Sequence, residues 1–263
     1  MISYRLLSDY INFLYHSRGK KGFGIHSPFV FQLVTQVVHS SVSSTIFTDI
    51  EAQRKLLLKD STPLDVQDYG AGSQHLKGTN RKVRELAVHS LKPAKQAQLL
   101  FRLANHMKSQ NILELGTSLG ITTCYLAKTG HCSKLVTLEG CPNVAKMAQQ
   151  TFKKLKLTGV DLVVGEFSQT LPKVLDGFST LDFVFFDGNH REKPTLEYFE
   201  HCLKKKNNQS LFVFDDIHHL PEMKEAWEQI KVNPEVTATI DLFHLGLVFF
   251  KKELSKQDFM VRF

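Results

Sequence analysis

The chain has no Cys-x-x-Cys pair. Its four cysteines, Cys124, Cys132, Cys141 and Cys202, stand apart, and Cys124 and Cys202 fall within apolar helical stretches. That spacing argues against a zinc site or a disulfide frame and suits free thiols in a reducing cytoplasm. Long apolar runs are also missing, so no segment approaches the length of a membrane span. Residues 1–15 are apolar but broken by Arg5, Asp9 and Asn12, a poor signal peptide. A one-signed charge field is lacking too. Lys and Arg number 33 against 26 Asp and Glu, a net +7, but the basic residues fall in short runs such as Lys153-Lys154, Lys204-Lys205-Lys206 and Lys251-Lys252. Such runs read as solvated helix ends rather than a nucleic-acid face. With 263 residues, 42% hydrophobic and 22% charged, the chain has the composition of an ordinary globular protein: one large domain, or a domain with an appendage.

What is present is sharper. Asn111-Ile112-Leu113-Glu114-Leu115-Gly116-Thr117-Ser118-Leu119-Gly120 is an apolar run with an acid near its end, then Gly-x-x-x-Gly. Ile121-Thr122-Thr123-Cys124-Tyr125-Leu126-Ala127 follows as a helix, and the strand Lys134-Leu135-Val136-Thr137-Leu138 delivers Glu139 at its carboxyl end. Strand, glycine turn, helix and an acid on the next strand form a nucleoside-binding half of a doubly wound sheet, the acid placed to take two ribose hydroxyls. A dinucleotide fingerprint puts its second glycine where this chain has Ser118, so the turn is not built to let backbone approach a pyrophosphate. A ligand without phosphates fits better, and S-adenosylmethionine is one. The Glu-x-Gly-x-x-x-Gly pattern resembles the first motif of the class I S-adenosylmethionine-dependent methyltransferases.

The chain divides near residue 90. Beyond it, strands and helices alternate: a helix over Ala94 to Met107, the Ile112 strand, a helix stopping at Gly130, the strand ending on Glu139, and a helix opened by Pro142 and closed by Gly159. Val160 to Val164 is a strand, Ser168 a cap for the helix carrying Leu171 and Leu175, and Leu181 to Phe186 a strand ending on Asp187. Pro194 starts a helix, Ser210 to Phe214 is a strand ending on Asp215-Asp216, and Pro221 opens a helix. Val236 to Leu242 and Gly246 to Phe250 are joined so closely that they must be an antiparallel hairpin. The fold class is α/β, a Rossmann-like seven-stranded sheet with an antiparallel terminal hairpin and a mainly helical N-terminal extension. Residues 1–90 are the extension and residues 91–263 the S-adenosylmethionine-binding domain. In the extension, Ser27 and Pro28 cap an apolar helix, Phe29 to Val38, which packs on the main domain or a second subunit, or serves as a lid. Asp68-Tyr69-Gly70-Ala71-Gly72-Ser73 also looks like a glycine turn, but the polar, proline-marked segment before it reads as a loop that can touch the site from above.

Ligands in open α/β sheets lie beyond the carboxyl ends of the strands, where these acids converge. Glu139, with Gly140, is expected to hold the ribose diol. Glu114, Gly116, Thr117, Ser118 and Gly120 are expected to wrap the methionine portion, and Glu166 and Phe167 stand where the family places adenine contacts. Asp187-Gly188-Asn189-His190 and Asp215-Asp216-Ile217-His218 resemble the cation-dependent small-molecule O-methyltransferases of the catechol, caffeoyl-coenzyme A and sugar type. That resemblance implies a magnesium ion on Asp187, Asp215 and Asp216, a small hydroxylated acceptor, and one in-line displacement. The Asp215-Asp216 form is nearer to the sugar enzymes, since catechol enzymes often carry asparagine as the last ligand. Asp187 is expected to contact cofactor as well as metal. His190 is a candidate general base in place of the lysine often found in catechol enzymes, or a structural partner of Asp187. His218 and His219 are weaker candidates.

The resemblance spans roughly residues 92–251, and the segment Gly24 to Phe31 is similar to uncharacterised bacterial methyltransferases. No Ser-His-acid or Cys-His constellation is present, as a direct displacement needs none. Two other readings stay open. One is a non-catalytic module that binds S-adenosylmethionine or S-adenosylhomocysteine. The other is an RNA or protein methyltransferase, although the chain lacks the Asn/Asp-Pro-Pro-aromatic turn of many nucleic-acid amino methylases. A homodimer is compatible with the apolar N-terminal helix. A nicotinamide oxidoreductase comes last, for want of a phosphate-cradling glycine.

Overall fold

The computed structural model describes residues 4–19, 22–67, 69 and 78–263. Helix α1 (Tyr4–His16) buries Phe13, and its Tyr10 and Phe13 rings meet Phe243 at 4.8 and 5.4 Å. Helix α2 (Pro28–Leu33) starts where expected, with Ser27 Oγ accepting from the Val30 amide. It runs on through a π-helical turn, Val34–Val38, whose free carbonyls at Val37 and Val38 accept from the buried Arg102 guanidinium. Val30, Leu33, Val34, Val37 and Val38 pack into a cluster shared with the sheet, so the packing role holds for this helix. A 3₁₀ turn (Ser44–Phe47) leads into α3 (Thr48–Leu57), then a two-stranded antiparallel ribbon, β1 (Pro63–Asp65) and β2 (Asn80–Lys82), then α4 (Val83–Ser90). Of the second glycine-rich segment only Tyr69 lies within the described residues.

From α5 (Ala94–His106) onward the chain alternates as its apolar spacing dictates: β3 (Asn111–Leu115), α6 (Ile121–Leu126), β4 (Lys134–Glu139), α7 (Pro142–Lys154), β5 (Val160–Val164) and α8 (Phe167–Asp176). Then follow β6 (Leu181–Phe186), α9 (Glu192–Leu203), β7 (Lys206–Asp215), α10 (Pro221–Val232), β8 (Ala238–Asp241), β9 (Leu245–Phe249) and β10 (Gln257–Met260). The large sheet has the order β10-β8-β9-β7-β6-β3-β4-β5. Every pairing is parallel except those of β9 with β7 and β8, which gives the expected antiparallel hairpin.

Side chains alternate between the faces. Ile112, Phe183 and Phe185 join α2 and α5 on one side, while Leu113, Val184, Phe186, Phe212 and Phe214 pack with α8, α9 and α10 on the other. Both faces are covered, which is why the strands read as continuous apolar runs. Phe212, Phe214 and Trp227 are core, not a substrate box.

Several boundaries differ from the sequence reading. The sheet has eight strands rather than seven, because β10 adds parallel to β8 at the edge and the Val261 amide continues the pairing to Asp241. Helix α6 ends at Leu126, short of Gly130, where Thr129 Oγ1 donates to the Leu126 carbonyl and closes the turn. Helix α8 starts at Phe167 with Glu166 as its cap residue, displacing Ser168 into the helix. Pro194 occupies the third position of α9 instead of the first.

The chain runs β3, β4, β5 in one direction and returns to β6 and β7 on the other side of β3, so the order reverses between β3 and β6. That is the switch point where a doubly wound sheet opens a crevice.

Candidate active site

At the switch point, Gly116 leaves β3 with φ +107° while its amide donates to the Leu138 carbonyl at 3.0 Å. A Cβ there would lie 2.1 Å from the Asp187 carbonyl oxygen, so only glycine lets the ends of β3 and β6 approach this closely. The next turn residue, Ser118, has φ +48° and aims its amide at Glu139 Oε2, 2.8 Å away. The Cys141 amide donates to Glu139 Oε1 at 2.9 Å. Two backbone amides thus hold the Glu139 carboxylate, one on each oxygen.

A cavity of about 520 Å³ opens beyond these strand ends. Gly116, Ser118, Glu139, Gly140, Glu166, Phe167, Asp187, His190 and Asp216 all line it. The N-terminal segment supplies the facing wall through Tyr69, Arg81, His89, Ser90 and Lys92. Tyr69 stands against Gly140, and Ser90 Oγ shares a 2.7 Å hydrogen bond with Ser118 Oγ. The Phe167 ring lies so close to Gly188 that a Cβ there would come within 2.5 Å of it, and it meets the Tyr198 ring edge-on at 5.9 Å.

Three expected cofactor residues do not line this cavity. Glu114 lies within β3, fully buried, and its Oε2 accepts from Thr123 Oγ1 and Thr137 Oγ1 behind the turn. Thr137 spends its only proton on Glu114, so Thr117 Oγ1, 2.6 Å away, must donate to Thr137 and thus faces the same buried network. Gly120 begins α6 with φ +81° and packs against Phe152. These residues build the turn from behind; of the turn, Gly116 and Ser118 line the cavity.

Burial pushes the Glu114 carboxyl from 4.5 up to about 7, against the pull of its two threonine hydrogen bonds and with the Glu139 charge adding to the rise. The folded state therefore keeps a proton that the unfolded chain has released between those values. Stability should fall as pH rises from about 4.5 to about 7 and level off above, by up to roughly 3 kcal/mol. Glu114→Gln should flatten that dependence. Urea unfolding midpoints near pH 5 and near pH 8 measure it, and equal pH slopes in the two proteins would refute it.

The second half of the cavity is charged. Asp187 follows β6, Asp215 ends β7, and the ammonium of Lys92 bridges them, 3.1 Å from Asp187 Oδ1 and in direct contact with Asp215 Oδ2. His190 Nε2 lies 3.6 Å from Asp187 Oδ1. Asn189, His190 and Asp216 all have positive φ, between 47° and 73°. Such conformations persist only where the surrounding structure holds them, and they gather at functional sites.

Burial raises the pKa of Asp187, opposed by Lys92 and reinforced by the charge of Asp215. Asp215 is raised by burial and by Asp216. For Asp216 burial is again the largest influence and raises the pKa, but the positive charges of Lys92, His190, His219 and His244 together outweigh it and leave it lowered. Burial lowers His190, which keeps the imidazole neutral and able to accept a proton near neutral pH. For Lys92 burial works against the charge, but the three aspartates outweigh it and raise its pKa.

Asp187, His190 and Asp215 offer donor atoms within 4.8 Å of one another, but Asp216 does not join that group. The expected three-carboxylate magnesium set is therefore not assembled. Magnesium demands near-octahedral oxygen ligands at 2.0–2.1 Å. Here one of the three donors is an imidazole, and a lysine ammonium already sits on oxygens of the two acids. These residues do not fit that ion.

His219 lines the cavity, whereas His218 turns away to pair with Asp241 Oδ2 at 2.7 Å and stack on Phe243. Lys92 was missed by sequence reasoning. Its signal is slight: a lysine before Pro93, between two helices.

Residues 113–217 match a family model described as a methyltransferase domain. Among curated proteins, the chain is 32% identical over 125 residues to a catechol O-methyltransferase of Niastella koreensis, covering 46% of this chain and 56% of that protein. It is 29% identical over 126 residues to a catechol O-methyltransferase of Mycobacterium tuberculosis, again covering 56% of the relative. The match thus spans little more than half the length of these relatives. The fold is similar to that of the O-methyltransferase from Bacillus cereus in complex with SAH, with TM-score 0.56, 19% identity, and coverage of 84% of this chain and 97% of that one. It is also similar to TomG from Streptomyces achromogenes, an O-methyltransferase involved in tomaymycin synthesis and solved with SAM, with TM-score 0.53, 23% identity, and coverage of 62% and 82%. The matched stretch is the one that builds the glycine turn, Glu139, Asp187 and Asp215, so it is the site-bearing half of the sheet, residues 113–217, that is similar to a methyltransferase domain.

Proposed function

We propose that the protein transfers a methyl group from S-adenosylmethionine to a hydroxyl oxygen of a small molecule. The observation that carries this reading is one cavity joining the Glu139 turn to the Asp187, Lys92 and His190 cluster. The donor fits the first half. Glu139 presents a carboxylate oriented by two backbone amides at the cavity wall, where a ribose diol would meet it, Gly116 and Ser118 present backbone beside it, and Phe167 lines the wall expected for adenine. When bound, S-adenosylmethionine supplies an electrophilic methyl on a sulfonium.

The chain's own residues do the rest. Asp187 faces His190 Nε2, which favours the tautomer with its proton there and leaves Nδ1 to take the proton of the acceptor hydroxyl. The low pKa that burial gives His190 keeps it unprotonated until then. Walls from both halves of the chain exclude water and hold the acceptor in line, which is the principal rate factor for a displacement of this kind.

The catechol O-methyltransferase relatives favour a hydroxylated acceptor. Calorimetric titration of S-adenosylhomocysteine should give micromolar binding, and a screen of catechols and other hydroxylated small molecules with S-adenosylmethionine should give O-methylated product. A folded protein that binds no S-adenosylhomocysteine would overturn the reading. Tight binding with no turnover of any acceptor would favour the non-catalytic module.

A further inference from the structure

We propose that Lys92 is the resident cation of the acceptor site, its ammonium held by Asp187 and Asp215 in the place a divalent ion would need and offering its remaining N–H to the acceptor oxygen. The proposal rests on reading this cavity as the acceptor site of a methyltransferase.

The lysine is built in, not draped over the surface. Its backbone lies in the three-residue link between α4 and α5, where its carbonyl accepts from Arg54 Nη1 at 2.6 Å. Arg54 in turn is fixed by Glu51, 2.9 Å away. On one side the Leu91 amide closes α4 onto the Ala87 carbonyl; on the other Pro93 sets the entry to α5, its carbonyl accepting from Gln96 and Ala97. The Lys92 side chain is only 12% exposed and runs inward to acids at the ends of two neighbouring strands.

An ammonium has three donors, and the two aspartates use two of them. The third belongs to the cavity that Lys92 lines. A fixed positive charge beside the acceptor oxygen stabilises the negative charge that develops there as the hydroxyl proton leaves, the part otherwise given to a metal. A divalent ion on the same carboxylate oxygens would meet a buried like charge at contact distance. The two cations exclude each other.

The test uses Mn²⁺ as a spin probe on the full chain, stripped with EDTA, with the free ion read by electron paramagnetic resonance. The wild-type protein should take up no stoichiometric Mn²⁺ below about 1 mM. Lys92→Met should gain a site at least about tenfold tighter, and adding Asp187→Asn should remove it. Stoichiometric Mn²⁺ uptake by the wild type, abolished by Asp187→Asn, would overturn the proposal even if Lys92→Met does not fold. Uptake by the wild type unaffected by Asp187→Asn would point to adventitious sites, and the tighter site required of Lys92→Met would then decide. A Lys92→Met protein that folds, as judged by S-adenosylhomocysteine binding, and gains no site would also overturn it. Loss of S-adenosylhomocysteine binding in the wild type is a separate failure, that of the methyltransferase reading.

Discussion

Glu139→Ala should weaken S-adenosylhomocysteine binding by at least about 100-fold in calorimetry while leaving the protein folded. A hydrogen bond to a charged group contributes roughly 1.5–3 kcal/mol, and on the proposed reading a ribose diol would make two to this carboxylate. The variant also frees the amides of Ser118 and Cys141, which the carboxylate now accepts at 2.8 and 2.9 Å, so the turn loses its brace along with its ligand contact. Glu139→Gln separates the two effects. Its carbonyl oxygen still accepts but its NH₂ only donates, so one of the two backbone amides meets a donor, and the variant should bind better than alanine but well below the wild type. Since Glu139 is half-buried at a cavity wall, the thermal midpoint should move by only a few degrees. A midpoint that collapses in Glu139→Ala would mean that the acid is chiefly structural, and unchanged binding would remove the ribose assignment.

The parts of the site that could be read from the sequence share one property: each lies where an apolar strand stops. Glu139, Asp187 and Asp215 are the first acids after runs that only a doubly covered strand tolerates, and the sheet rule then puts them on one rim. Glu114 shows the limit of that logic. It sits one residue inside β3, and because strand side chains alternate, that offset turns its carboxyl to the buried face instead of the cavity.

Strand β10 escaped for another reason. Gln257 and Asp258 are exposed and the strand lies at the sheet edge, where no apolar pattern is required. Lys92 could not be found by local reasoning at all, because its partner Asp215 is 123 residues away and the pairing exists only once α4 and α5 are in place. The cavity-lining residues of the N-terminal segment, such as Tyr69, Arg81 and Ser90, meet strand ends far along the chain, so nothing local in the sequence marks them.

The tightest point of that cavity yields the other large effect. Gly116→Ala should destabilise the protein by about 3–5 kcal/mol, a fall of roughly 10 °C in Tm for a chain of this size. The added Cβ would sit 2.1 Å from the Asp187 carbonyl oxygen and 2.7 Å from its carbon, both main-chain atoms that no rotamer change can move aside. With φ at +107°, alanine is also strained by its own backbone. Relief requires the ends of β3 and β6 to part, which breaks the Asp187 amide's 2.8 Å bond to the Leu115 carbonyl and shifts the acid that anchors Lys92. Gly159→Ala is the matched control: its φ is +77°, but nothing lies within 4 Å of the added carbon, so it should cost only about 1 kcal/mol. Urea unfolding of the two variants side by side isolates the steric term from the dihedral one. If Gly116→Ala were no less stable than Gly159→Ala, the strand ends would not be in contact, and neither the Glu139 turn nor the Asp187–Lys92 pair would be held as described.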